Sequence, residues 1–131
     1  MNILIVEDKQ EVRESLFNLL SQMGHCVDWA VNGLDGLAKA QQNEYNLFVI
    51  DHLMPLMNGA QLTKNLRQNE QYKDTSILFM TTQGIDVAKS LPEHQMFSAV
   101  INKPIDDVQF LKLITQLSQD DKLPVAIAVN D

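Results

Sequence analysis

The chain has 131 residues, 45% hydrophobic and 21% charged, which suits one globular domain and excludes a disordered or collagen-like chain. Its single cysteine, Cys26, excludes an internal disulfide framework and any cysteine-based zinc cluster. Seventeen acidic against ten basic residues give a net charge of −7, which argues against nonspecific binding to nucleic acid or to an anionic membrane.

Apolar runs alternate with helical patterns along the chain. Residues 2–6 form a short β-branched run, apolar enough for a strand buried on both faces. Residues 9–23 place Val12, Leu16, Leu19, Leu20 and Met23 at helical spacing, and Gly24 marks a stop. A second strand is expected at 26–30 and a second helix at 33–42. The third strand, 47–50, is followed by the turn signals Pro55 and Asn58-Gly59. Residues 61–67 read as helix, 77–80 as strand, 85–91 as a short helix cut by Pro92, 99–101 as strand and 106–117 as the last helix. Strict alternation of this kind implies an α/β fold: a five-stranded parallel sheet, doubly wound and flavodoxin-like, (βα)5. There is no internal repeat. The polar stretch 119–122 separates a domain at 1–119 from a tail at 120–131, either a docked terminal segment or a linker stub. No apolar run could span a bilayer, and no secretory leader precedes the first strand. A cytoplasmic location is expected.

Ligands of such sheets bind beyond the carboxyl ends of the strands. The polar residues ending them are Glu7 and Asp8, then Asp51, then Thr81 and Thr82, then Asn102, Lys103 and Pro104. Three carboxylates brought together repel, and bind either a proton or a cation. Oxygen-only ligands favour a hard cation, Mg²⁺ first, because it keeps several waters and is often shared with a phosphate. Asp51 ends a middle strand and is the candidate nucleophile, since carboxylates accept phosphoryl groups. In such a transfer Mg²⁺ and Lys103 supply positive charge and Thr81 a hydrogen bond.

The Glu7-Asp8 pair, the run Asp51-His52-Leu53-Met54-Pro55-Leu56-Met57-Asn58-Gly59, Thr81 and the Lys103-Pro104 pair together resemble the receiver domain of two-component response regulators. The resemblance covers residues 2–117, and the long run is its most specific part. It implies that Asp51 takes phosphate from the phosphohistidine of a sensor histidine kinase or phosphotransfer protein. It implies that Glu7, Asp8, Asp51 and the backbone carbonyl of Leu53 hold Mg²⁺, directly or through water. Lys103 would ion-pair with the acidic site, Thr81 would follow the phosphoryl group, and the Lys103-Pro104 bond would be cis. Activity would be limited to self-phosphorylation and self-dephosphorylation, with output to a downstream protein and no direct contact with nucleic acid or membrane. Because the sequence stops at Asp131, output is expected through a partner or through a longer parent chain.

Three positions depart from the family pattern. Val100 replaces a switch aromatic, Thr82 replaces a small residue and is expected to crowd Thr81, and Met96-Phe97 replaces a Gly-Ala turn. Phe97 is the nearest aromatic that could move in place of the missing one. Elsewhere the bland reading is preferred. His52 is taken as a solvent-facing loop residue rather than a relay, His25 and His94 as surface residues, and Cys26 as an inert packed thiol. Met54 and Met57 are packing residues, and Asp106-Asp107 is first-turn helix charge. Trp29 ends the second strand, near enough to the acidic site to serve as a fluorescent reporter. A flavin carrier would need a Ser/Thr/Gly-rich phosphate loop where Glu7-Asp8-Lys9 stands. A haloacid dehalogenase-type hydrolase would need an Asp where Leu53 stands. The standing alternative is a phosphorylation-independent, receiver-like scaffold.

Overall fold

Alternating strands and amphipathic helices assemble into one parallel sheet in the computed structural model, which describes residues 1–119 and a short strand at Ala126–Ile127. In chain order the elements are β1 (Asn2–Val6), α1 (Gln10–Gln22), β2 (Cys26–Ala30), α2 (Gly33–Gln42), β3 (Leu47–Asp51), α3 (Gly59–Arg67), β4 (Ser76–Thr81), α4 (Ile85–Ser90), β5 (Ala99–Asn102), α5 (Asp107–Ser118) and β6 (Ala126–Ile127). The strand order is β2-β1-β3-β4-β5-β6, every neighbouring pair parallel. The first five strands are the expected doubly wound sheet. β6 adds a short sixth strand beside β5 from within the tail; the rest of 120–131 lies outside the described residues.

Side chains alternate across a strand, so each strand feeds two apolar layers. One layer joins Leu4, Val6, Phe48, Ile50, Ile77, Phe79 and Val100 to α2, α3 and α4. The other joins Ile3, Ile5, Leu47, Val49, Leu78, Met80, Ala99 and Ile101 to α1 and α5. β1, β3, β4 and β5 are buried nearly throughout. β2 is not, because it stands at the sheet edge and pairs only with β1: Asp28 and Trp29 face solvent. Cys26 is exposed as well, which corrects the expectation of a packed thiol.

Two helix starts, those of α3 and α5, are set by side-chain capping rather than by periodicity. α3 begins at Gly59 rather than at residue 61, because Asn58 accepts from the Gln61 backbone N–H while the Gln61 side chain accepts from that of Asn58. Asp106 is a cap, not a first-turn residue, accepting from the N–H groups of Val108 and Gln109 at 2.9 and 3.2 Å. Asp107 keeps its place in the first turn. Met54 and Met57 pack against the layer under α2–α4, as expected.

Arg67, the last residue of α3, ties the loops on that side together. Its guanidinium donates to the carbonyls of Tyr72 (2.8 Å), Thr75 (2.6 Å) and, twice, Met96 (3.1 and 2.7 Å). Residues 94–96 form a single 3₁₀ turn, so this side chain anchors the approach to β5. Arg67→Ala strands three partly buried carbonyls and should cost about 2–4 kcal/mol, read as a lower urea midpoint with an unchanged denaturant slope.

Candidate functional site

Period-two alternation and strand register together decide which polar residues meet. Val6 pairs with Ile50, so Glu7 stands level with Asp51; Asp51 pairs with Met80, and Met80 with Ile101. Continuing the alternation of the α1/α5 layer past the strand ends puts Glu7, Asp51 and Lys103 on one side. The Lys103 ammonium bridges the two acids, donating to Glu7 Oε1 at 2.9 Å and Asp51 Oδ1 at 3.2 Å. Glu7 is wholly buried and Asp51 nearly so. The second oxygen of Glu7 accepts from the Lys9 backbone N–H at 3.1 Å, and its carbonyl accepts from Arg13 at 2.9 Å.

Ligand atoms of Glu7, Asp8 and Asp51 lie within 4.8 Å of one another, the one such grouping among the described residues. Asp8 Oδ1 is buried and has no hydrogen-bond partner. A buried carboxylate oxygen left so is costly unless something positive reaches it. Three carboxylates against one ammonium leave an excess of negative charge, and every donor is oxygen, so the residues fit a hard divalent cation. Leu53, whose carbonyl completes the expected ligand set, lies in the loop after β3 with its side chain exposed.

Burial pushes the Glu7 carboxyl up to about 7; the Lys103 hydrogen bond opposes that rise and the Asp51 charge adds to it. Burial likewise raises Asp51, against the pull of Lys103. For Lys103, burial favours the neutral amine, but the hydrogen bond to Glu7 and the two carboxylate charges outweigh it and hold the ammonium above its usual value. Between its unfolded value of 4.5 and about 7, Glu7 therefore holds a proton in the folded chain that the unfolded chain has released. Stability then falls as pH rises through that window. Urea unfolding of metal-free protein from pH 5 to 7.5 should show the decline, and Glu7→Gln should flatten it.

The loop from β3 to α3 is drawn tight beneath Asp51. A Cβ on Gly59 would lie 2.1 Å from the Asp51 carbonyl oxygen, so only glycine lets α3 begin there. Gly59 N–H donates to the His52 carbonyl at 2.7 Å, and Leu56 takes a left-handed φ of 72°. The Lys103-Pro104 peptide is cis.

Thr81 is fully buried at the end of β4, and its hydroxyl lies 2.9 Å from Nδ1 of His52. This corrects the reading of His52 as a solvent-facing loop residue: it is 7% exposed, and its ring packs 5.0 Å from that of Phe79. The alternation Phe48, Ile50, His52 carried the signal, but a polar residue just past a strand reads as loop until the register is known. Thr82, expected to crowd Thr81, is exposed, and the side chain found against the Thr81 hydroxyl is that of His52. Phe97 is buried and stacked on Phe79, rings 3.9 Å apart and 11° from parallel. His25 is half-buried, 3.0 Å from the N-terminal amine, and His94 half-buried in the 3₁₀ turn; neither joins the acidic cluster. Trp29 sits under the Arg13 guanidinium, 4.7 Å from the ring centre, and Arg13 in turn holds the Glu7 carbonyl.

The family model of the response regulator receiver domain matches residues 3–125. The chain belongs to that family. This receiver is 32% identical over 112 residues to protein PilH of Pseudomonas aeruginosa, an alignment covering 86% of this chain and 93% of PilH. It is 37% identical over 84 residues to the transcriptional regulatory protein CusR of Escherichia coli, covering 64% of this chain and 36% of CusR. Receivers of known structure superpose closely. Vibrio cholerae chemotaxis protein CheY4 is 30% identical with a TM-score of 0.82, covering 88% of this chain and 97% of that one. TrrA of Thermotoga maritima, solved in complex with Mg²⁺ and BeF, is 25% identical with a TM-score of 0.80 and the same coverage. Among the described residues of the receiver, no helix is long and apolar enough to cross a membrane.

Proposed function

We propose that this receiver is a phosphoacceptor in a two-component relay. Asp51 takes the phosphoryl group from the phosphohistidine of a sensor histidine kinase or a phosphotransfer protein, and the signal passes by contact to a downstream protein. An Asp51 carboxylate oxygen attacks phosphorus as the P–N bond to the donor imidazole breaks. The bonding pair stays with the ring nitrogen, which takes up a proton, and an aspartyl phosphate remains. Self-hydrolysis of that acyl phosphate by water ends the signal. The observation carrying this reading is the buried Glu7–Lys103–Asp51 bridge beside the unpartnered Asp8 Oδ1.

Lys103 keeps its charge where phosphate would arrive, and can exchange its 3.2 Å contact with Asp51 for a phosphoryl oxygen. Asp8 and Asp51, with Glu7 and the Leu53 carbonyl, would hold Mg²⁺, whose bound charge would offset the negative oxygens of the incoming group. Thr81 would give its hydroxyl hydrogen to a phosphoryl oxygen. The net charge of −7 supports an output through protein contact rather than through nucleic acid. The reading places the receiver in the cytoplasm.

Asp51→Asn should abolish labelling by radioactive acetyl phosphate in the presence of Mg²⁺ while leaving the circular dichroism spectrum unchanged. Label remaining at the wild-type level would move the acceptor elsewhere. Wild-type protein that takes up no label would favour the phosphorylation-independent scaffold.

Mg²⁺ at ten times its dissociation constant should stabilise the wild type by about 1.4 kcal/mol and change the emission of Trp29, which is linked through Arg13 to Glu7. Asp8→Asn should remove most of both responses; if both persist in full, the cation is held elsewhere.

A further inference from the structure

A threonine hydroxyl has one hydrogen to donate and lone pairs with which to accept. At Thr81 the oxygen already accepts from the Gln83 backbone N–H at 3.0 Å, and the buried His52 ring presents Nδ1 at 2.9 Å. The His52 side chain stands on the α2–α4 side of the sheet because it continues the alternation of Phe48 and Ile50. That is the side on which Thr81 follows Ile77 and Phe79, and on which Val100 lies beside Phe79 in register. Asp51 precedes His52 in the chain, but among the described residues the ring's hydrogen-bond partner is the Thr81 hydroxyl, and the Phe79 ring packs against it at a tilt of 49°.

We propose that His52 is a positioning residue for phosphoryl accommodation: Nδ1 of its neutral ring accepts the Thr81 hydroxyl hydrogen in the resting protein, and a phosphoryl group on Asp51 must take that hydrogen away. The proposal rests on the phosphoacceptor reading of Asp51 and deepens it. With one hydrogen to give, Thr81 cannot serve the ring and the phosphoryl oxygen together. Surrendering it leaves a buried ring nitrogen without a donor, which disfavours the resting ring position.

The ring has a mechanical route outward. It packs 5.0 Å from Phe79, Phe79 stacks at 3.9 Å on Phe97, and the preceding residue, Met96, has its carbonyl in the grip of Arg67. A shift of His52 is therefore felt first by two stacked rings and then by the 3₁₀ turn at 94–96. Val100 adjoins Phe79 but is a short branched side chain with little surface to move. The chain His52–Phe79–Phe97 supplies aromatic coupling where Val100 cannot.

The test uses the full chain, Mg²⁺ and beryllofluoride as a phosphoryl stand-in, followed by NMR. In wild-type protein labelled with ¹⁵N-histidine, His52 should be the tautomer with its hydrogen on Nε2. Beryllofluoride should shift its Nδ1 resonance and the ring signals of Phe97. His52→Phe, which fills the space without a polar atom, should bind beryllofluoride about fivefold more tightly, since Thr81 no longer gives up a partner. His52→Asn, which restores a polar atom near Nδ1 but no ring, should return affinity towards wild type while the Phe97 response stays weak. A resting His52 with its hydrogen on Nδ1, or both variants matching wild type in affinity and Phe97 response, would overturn the proposal. Wild-type protein that neither binds beryllofluoride nor takes up phosphate would overturn the phosphoacceptor reading, and this proposal with it.

Discussion

A single ammonium holds the working end of this molecule together. Lys103 lies between two buried carboxylates, at 2.9 Å from Glu7 and 3.2 Å from Asp51, and 96 and 52 residues from them along the chain. It opposes the rise that burial imposes on both acids, since an unpaired buried carboxylate is strongly disfavoured. The same ammonium does not fully satisfy the cluster, because Asp8 brings a further carboxylate and leaves Oδ1 unpartnered. This imbalance suits a hard divalent cation, and fits the phosphoacceptor role proposed for Asp51. A site neutral in itself would have no reason to admit such a cation.

The sheet separates two tasks by the parity of its side chains. Glu7, Asp51 and Lys103 continue the layer packed under α1 and α5, whereas His52, Thr81, Phe79 and Val100 continue the layer under α2, α3 and α4. Charge lies on one side and the aromatic stack on the other, with Thr81 at the end of the strand next to Asp51's own. Close-packed layers transmit displacement instead of absorbing it, so the aromatic side is suited to carrying a change at Thr81 outward. Its far end is secured by Arg67, which fixes the turn before β5 through paired hydrogen bonds to Met96.

Much of this was legible in the residues alone. The elements appear within about two residues of the positions set by apolar spacing and turn signals, and the strand-end acids, Thr81 and Lys103-Pro104 lie together at the expected edge of the sheet. Errors arose where local pattern and tertiary environment diverge. β2 has the apolar content of a core strand but lies at an edge, so Cys26 and Trp29 are exposed. His52 has the character of a loop residue but is enclosed by Thr81 and Phe79.

What the sequence by itself determined was the alternation of strands and helices, and hence the parallel sheet with its polar strand ends, because periodicity and capping act over a few residues. It also determined which functional groups those ends carry, because residue identity does not depend on folding, whereas their acidities do. Only the tertiary structure decided that Lys103 bridges Glu7 and Asp51 while Asp8 keeps an unpartnered oxygen, and that the Thr81 hydroxyl meets His52. These outcomes depend on strand order and register, which join residues dozens of positions apart. A shift of one residue in the pairing of any strand would send its side chains to the opposite layer.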